Sequence, residues 1–291
     1  MGEKLSYLAN VPATREVLEA HGLATKKALG QHFLISDGVV RHICQLAELT
    51  PEDDVVEIGP GIGTLTVALL QSAGRVVSIE RDGDLPAVLD ETCAPWADSF
   101  TLINRDALEV TPADLPFAPV KLVSNLPYAV AATLVLDYFE RFESLQSATV
   151  MVQSEVADRM CAKVGTKNYG AFTVKLSLYA RPAGKFQVSP GNFFPPPRVN
   201  STVLRLERVD LGIDPAHRRA IATMADAAYA TRRKTLANSC RTYFAQHPGA
   251  AALLPQVFSD AGIDPKRRGE TLSFDEFAAL GASALDAGLL G

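Results

Sequence analysis

The sequence predicts an α/β fold in which a doubly wound parallel sheet is followed by a small all-helical C-terminal domain. Three observations predict it. Short apolar runs alternate with helix-length stretches between about residues 54 and 206; a glycine-rich turn joins the first clear strand to its helix; and beyond about Asp210 strand signals give way to Ala-rich text of helical period. Val55-Val56-Glu57-Ile58 is a short apolar strand, Gly59-Pro60-Gly61-Ile62-Gly63 the turn, and Thr64 to Leu70 the start of a helix. Val76 to Glu80, Phe100 to Asn104 and Lys121 to Ser124 are the next strands, each preceded by a helix-like stretch, which implies parallel pairing. Ala148 to Gln153 and Thr202 to Leu206 form a further pair that closes the sheet. The C-terminal helices are expected at Arg218 to Tyr229, Lys234 to Gln246, Ala250 to Ala261 and Phe274 to Leu285. The domains are therefore 1–209, with residues 1–25 as an N-terminal extension, and 210–291.

A chain of 291 residues with 47% hydrophobic positions can bury roughly 75% of its unfolded surface. Disorder and fibrous repeats are excluded on that ground. The four cysteines, Cys44, Cys93, Cys161 and Cys240, are widely spaced, with no C-x-x-C pair to open a zinc or redox site, and read as thiols in a reducing cytosol. No metal is expected. No apolar run approaches the roughly 20 residues of a membrane span, so a cytoplasmic protein without a membrane partner is expected. Absence of a coiled-coil pattern or an apolar stripe suggests a monomer. Charge poses a puzzle: 28 Lys+Arg against 33 Asp+Glu give −5, whereas a nucleic-acid enzyme is expected to carry a basic footprint. Residues 210–291 hold 9 basic and 9 acidic side chains, so the smaller domain is relatively basic.

Candidate site residues lie at the carboxyl ends of successive strands, where doubly wound sheets bind ligands. The glycines permit close backbone approach. Gly59, Gly61 and Gly63 alternate, and Thr64 stands where a dinucleotide fingerprint needs its third glycine, which argues against a nicotinamide cofactor. Glu80 ends the second strand, where a carboxylate can accept both ribose hydroxyls of an adenosine; alone it is equally a solvated strand-end acid. Asp106-Ala107 follows the third strand, where an Asp can accept from an adenine amine or cap a turn. Asn125-Leu126-Pro127-Tyr128 follows the fourth strand. An Asn carbonyl and a backbone carbonyl before or at the proline make a pair of acceptors for an exocyclic amine, and Tyr128 offers a face for an unstacked base. The bland alternative is a proline turn with a buried tyrosine.

Together these and further motifs resemble the small-subunit (16S) ribosomal RNA adenine dimethyltransferases. Lys26-Lys27-Ala28-Leu29-Gly30-Gln31-His32-Phe33-Leu34, Glu57 to Gly63, Glu80, Asp106-Ala107, Asn125 to Tyr128, Tyr169-Gly170, Phe193-Phe194-Pro195-Pro196-Pro197-Arg198-Val199, Arg232 to Asn238 and Arg268 to Ser273 occur in family order. The resemblance implies a Rossmann-like class I methyltransferase sheet and S-adenosyl-L-methionine as methyl donor. His32 and Leu34 would close over the donor, Gly59 and Gly61 lie beside it, Glu80 bind its ribose, and Asp106 and Ala107 its adenine. Asn125 would stand where donor and acceptor meet. The implied reaction is dimethylation of the exocyclic amine of two adjacent adenines near the 3′ end of 16S rRNA, within an immature 30S subunit. Asn125 and the Pro127 carbonyl would hold the amine, and Tyr128 and Phe193 would sandwich the base.

Three basic clusters, Lys26-Lys27, Arg232-Arg233-Lys234 and Lys266-Arg267-Arg268, can meet RNA, and the resemblance favours Arg232, Arg233 and Lys234. Two positions depart from the family: Ser154 and Ala237 stand where a basic residue is usual. Rival readings are a 23S rRNA adenine methyltransferase conferring drug resistance, a non-catalytic ribosome-assembly factor on the same fold, which predicts decay of the donor site, and a nicotinamide dehydrogenase.

Overall fold

The computed structural model describes residues 4–23 and 32–290. Lys26, Lys27 and Gln31 of the first motif lie outside the described residues. In chain order the elements are α1 (Val11–Ala20), β1 (Phe33–Leu34), α2 (Asp37–Leu46), β2 (Asp54–Ile58), α3 (Thr64–Ser72), β3 (Arg75–Glu80), α4 (Pro86–Thr92), β4 (Phe100–Asn104), β5 (Lys121–Asn125), α5 (Ala131–Arg141), β6 (Ser147–Gln153), α6 (Ser154–Met160), α7 (Ala171–Ser177), β7 (Ala180–Val188), β8 (Phe193–Phe194), β9 (Ser201–Arg208), α8 (Pro215–Tyr229), α9 (Leu236–Tyr243), α10 (Ala250–Asp260) and α11 (Phe274–Asp286).

Seven strands form one sheet in the order β4-β3-β2-β5-β6-β9-β7. The pairs β2 with β3, β3 with β4, β2 with β5 and β5 with β6 are parallel, as their helical crossovers require. The sheet is not wholly parallel: β9 runs antiparallel to β6, from Ser147 opposite Glu207 to Gln153 opposite Ser201. The chain between them passes through α6, α7, β7 and β8 rather than one crossover helix, so nothing enforces parallel pairing. Val55, Val56, Val76, Val77, Leu122 and Val123 are fully buried. Strands covered on both faces must read as continuous apolar runs, and these do.

A second, two-stranded antiparallel sheet pairs β1 with β8, setting Phe33 opposite Phe194 and Leu34 opposite Phe193. The described part of the N-terminal extension is structured. Asn10 caps α1 by accepting from the Ala13 N–H at 3.0 Å, Ser6 N–H donates to Asp37 at 2.9 Å, and the Tyr7 hydroxyl donates to the Thr92 carbonyl at 3.0 Å.

The chain divides into two compact units, residues 1–157 with 182–208, and residues 158–181 with 209–291. The second unit resumes at residue 209, and residues 158–181 belong to it rather than to the α/β unit. The reason is packing inside the helical unit: α7 lies on α8, and the Lys175 ammonium pairs with Asp226 at 2.9 Å. Helix α9 is shorter than expected because Arg232, Arg233 and Lys234 occupy the exposed turn before it. Burial pushes the Cys44, Cys93 and Cys240 thiols up to about 12, so at neutral pH they are inert. Among the described residues no helix is long and apolar enough to cross a membrane.

Candidate functional site

The α/β unit holds a cavity of about 290 Å³ at the carboxyl ends of β2, β3, β4 and β5. It is lined by His32, Leu34, Gly59, Gly61, Glu80, Asp106, Ala107, Asn125, Pro127 and Tyr128 of the expected set, and also by Glu57, Thr64, Arg81 and Leu126. Residues far apart in sequence therefore meet because consecutive parallel strands end on one edge.

The glycine turn forms one wall. Gly59, Gly61 and Gly63 have φ of 71°, 61° and 91°, a left-handed region that disfavours any side chain, and a Cβ on Gly61 would lie 3.2 Å from the Phe33 ring. Glu80 faces this turn with 8% of its surface exposed. One oxygen accepts from the Asp82 N–H at 2.8 Å and the other from the Gly61 N–H at 3.4 Å. Burial pushes its carboxyl above the ordinary value, the nearby Asp82 adds to this, and the backbone donors oppose it.

Beneath the turn, Glu57 is a second buried acid that the sequence reading had placed only in a motif. The Thr66 and Ser78 hydroxyls both donate to its Oε2, at 2.7 and 2.8 Å, yet burial pushes its carboxyl up to about 7, with the charge of Glu80 adding to the shift. The signal in the sequence was an acid inside an otherwise apolar strand. Thr64, also unforeseen as a wall residue, presents a buried hydroxyl with no hydrogen-bond partner among the described residues.

Asp106 does what a turn-capping Asp does: its Oδ1 accepts from the Leu108 N–H at 3.1 Å, while Oδ2 lies 3.4 Å from the Arg81 guanidinium. The following loop is held by α5, where the Tyr138 hydroxyl donates to the Ala107 carbonyl at 3.1 Å and Arg141 to the Val110 carbonyl at 2.7 Å.

The Asn125 to Tyr128 segment leaves β5 at the cavity floor. The Asn125 amide nitrogen donates to the His32 carbonyl at 3.4 Å, which directs its carbonyl oxygen elsewhere as an acceptor. The second acceptor has two candidate carbonyls. The Pro127 carbonyl already accepts from the Val130 N–H at 3.2 Å in the turn entering α5, whereas among the described residues no donor meets the Leu126 carbonyl. Tyr128 is anchored by its hydroxyl to the Ser201 hydroxyl at 2.7 Å, and the His32 ring stacks near it, with centroids 6.0 Å apart. The His32 Nδ1 is 2.7 Å from the Pro195 carbonyl; since a carbonyl only accepts, that nitrogen carries the proton.

Phe193 pairs with Leu34, which lines the cavity. It is 2% exposed, packed in the core with Leu34, and absent from the cavity wall. Its partner position in β1 explains this, because pairing Phe193 with Leu34 fixes the strand register. Phe194 is the half-buried one, with the Arg15 guanidinium 5.1 Å from its ring centroid.

Arg232, Arg233 and Lys234 belong to the helical unit and are exposed. Arg232 is not a free cation: it donates to the Lys167 carbonyl and lies 3.7 Å from Glu270. Arg267 is likewise engaged by Glu276. No cluster of His, Cys, Asp and Glu suited to a metal ion occurs among the described residues.

The profile of the family described as Ribosomal RNA adenine dimethylase matches residues 22–280. The chain belongs to that family. It is 40% identical over 284 residues to the Ribosomal RNA small subunit methyltransferase A of Kineococcus radiotolerans, covering 96% of this chain and 93% of the relative. It is 41% identical to the protein of that name in Streptomyces griseus, with 91% of each chain covered. Among solved structures it is similar to a dimethyladenosine transferase from Plasmodium falciparum, with a TM-score of 0.75, 23% identity and coverage of 88% of this chain and 98% of the other. The 23S rRNA methyltransferase ErmE is similar with a TM-score of 0.64 and 23% identity, over 86% of this chain and 98% of that one. These structural likenesses establish the class I methyltransferase fold, with its mixed seven-stranded sheet and C-terminal helical part.

Proposed function

We propose that the protein uses S-adenosyl-L-methionine to dimethylate the exocyclic amine of adenines in small-subunit rRNA. The observation that carries this reading is the convergence, on one cavity, of a buried carboxylate at Glu80, a turn-capped Asp106 and the Asn125-Leu126-Pro127-Tyr128 segment. Family membership and the names of relatives about 40% identical support the small-subunit substrate over the 23S alternative. A non-catalytic assembly factor would have no need of an intact donor wall, and the glycine spacing argues against a dehydrogenase.

The residues fit the donor. Glu80 can accept two ribose hydroxyls, one on each oxygen, while keeping its backbone bonds. Thr64 offers a buried hydroxyl otherwise unsatisfied, and the glycine turn lets the backbone approach closely. Bound there, the donor supplies an electrophilic methyl group on a sulfonium.

Asn125 and the Leu126 carbonyl then act on the acceptor base. They take the two hydrogens of the adenine amine, whose lone pair is otherwise delocalised into the ring, and hold that lone pair outward. Tyr128 gives the unstacked base a face to lie on, and its bond to Ser201 keeps the ring still. His32 positions rather than reacts: its carbonyl orients Asn125 and its ring flanks Tyr128. Catalysis is chiefly orientation. Each transfer releases one proton from an amine made acidic by its new methyl, so no strong base is required. The finer reading is of a monomer acting in the cytoplasm on 16S rRNA in an immature 30S particle, with the α/β unit supplying the chemistry and the helical unit selecting the RNA.

Labelled donor is to be supplied with undermethylated small subunits, large subunits or naked RNA, and the labelled RNA mapped. Label on small-subunit adenines is expected; label confined to large subunits, or none, would overturn the proposal.

A further inference from the structure

Within the helical unit, two basic stretches are stitched together through Glu270. The Gly165 N–H donates to the Glu270 carbonyl at 2.9 Å, and Arg232 reaches the Lys167 carbonyl from one side and the Glu270 carboxylate, 3.7 Å away, from the other. The loop at 162–168 is thereby held against the turn at 231–235. That loop carries Lys163 and Lys167, both exposed. Among the described residues no ion pair or hydrogen bond engages their ammonium groups, nor the cationic groups of Arg233 and Lys234. By contrast Arg232 and Arg267 are occupied internally.

We propose that Lys163 and Lys167 bind phosphates of the RNA substrate, continuing the track of Arg233 and Lys234, and that Arg232 is the tether that positions the loop. The inference rests on the function proposed above. Four solvated cations around so little apolar surface suit a polyanion. A protein partner would need a desolvated apolar centre, and here only Val164, 46% exposed, stands among the charges. Neither lysine belongs to the basic clusters that the sequence brings out. Each phosphate neutralised by a lysine releases condensed counterions, so the contacts have a salt signature distinct from a fold defect.

The test compares the full chain with the double variant Lys163→Gln, Lys167→Gln for binding to undermethylated small subunits across a series of KCl concentrations. Two lost phosphate contacts are expected to reduce the slope of log K against log salt by roughly 1.4 to 1.8 and to weaken binding on the order of 30-fold near 0.1 M. Thermal unfolding and affinity for S-adenosyl-L-methionine should match wild type, which separates the effect from misfolding. A variant with the wild-type slope and affinity overturns the inference while leaving the enzyme reading intact. Failure of the wild-type protein itself to bind small subunits overturns both.

Discussion

Replacing Glu80 by Ala removes the carboxylate that ends β3 and faces the glycine turn across the cavity. In the folded protein its two oxygens are each committed to one backbone N–H, from Asp82 at 2.8 Å and Gly61 at 3.4 Å, and each retains a lone pair for a ligand. Two hydroxyls bound to an ionised, desolvated acceptor contribute about 1.5 kcal/mol apiece at the low end of charge-assisted bonds. Their joint loss is therefore about 3 kcal/mol, or on the order of 100-fold in donor affinity. The pH dependence has a defined sign. Burial raises the Glu80 carboxyl, and the acceptor form is the ionised one. Wild-type donor affinity should thus fall with decreasing pH earlier than an ordinary glutamate would cause, and the Ala variant should lack that component. Titration calorimetry with S-adenosyl-L-methionine reads both effects, with thermal unfolding as the control for folding. Equal donor affinity in a folded Glu80→Ala protein would refute the assignment.

Three further outcomes are expected. The Glu57 carboxyl, at about 7 in the folded protein against an ordinary 4.5, binds its proton more tightly folded than unfolded. Stability from this group is therefore full below the unfolded value and is lost as pH rises through about 7, by about 3 kcal/mol in all. Glu57→Gln keeps an acceptor for Thr66 and Ser78 and should flatten that decline when denaturant midpoints are compared at about pH 5 and pH 8; parallel curves would contradict it. Tyr128→Ala should leave donor affinity within about twofold but cut turnover on the order of 100-fold, since a base loses its stacking face, whereas Tyr128→Phe should retain most turnover; a large loss of donor binding in the Ala variant would misplace Tyr128. Gly63→Ala forces a side chain into φ of 91° with its Cβ 2.9 Å from the Thr92 hydroxyl oxygen, and should lower stability by about 2 kcal/mol; an unchanged melting temperature would show that the turn relaxes freely.

The parts of this fold that were legible in the sequence are those whose physics is local. Strands β2, β3, β5 and β6 and most of β9 bury both faces, so their Val, Ile and Leu runs announce them, while the edge strand β4 is only half-buried and is announced by Phe100-Thr101-Leu102-Ile103. Strand β7 was missed because it sits at the sheet edge with alternating exposed residues, and Ala180-Arg181-Pro182-Ala183-Gly184 reads as a loop. The paired dipeptides of β1 and β8 are too short to show any period. At the site, motif order brought out Glu80, Asp106 and Asn125 because each follows a strand. It could not say which carbonyl near Pro127 is free, since that depends on the turn to Val130. Nor could it show that Phe193 faces the core, or that Arg232 is spent on Lys167 and Glu270, because both depend on partners distant in sequence. The acidic total of −5 loses its puzzle in the same way: net charge is a property of the chain, while the exposed Lys163, Lys167, Arg233 and Lys234 all belong to the helical unit.

The most direct test of the account is the identity of the methylated nucleoside. After reaction of the purified protein with S-adenosyl-L-methionine and undermethylated small subunits, the rRNA is digested completely and its nucleosides resolved by mass and retention. The account predicts adenosine carrying two methyl groups on the exocyclic nitrogen as the end product, lost in Asn125→Ala. Methylation at a ring nitrogen, at the ribose or at a base other than adenine would contradict it.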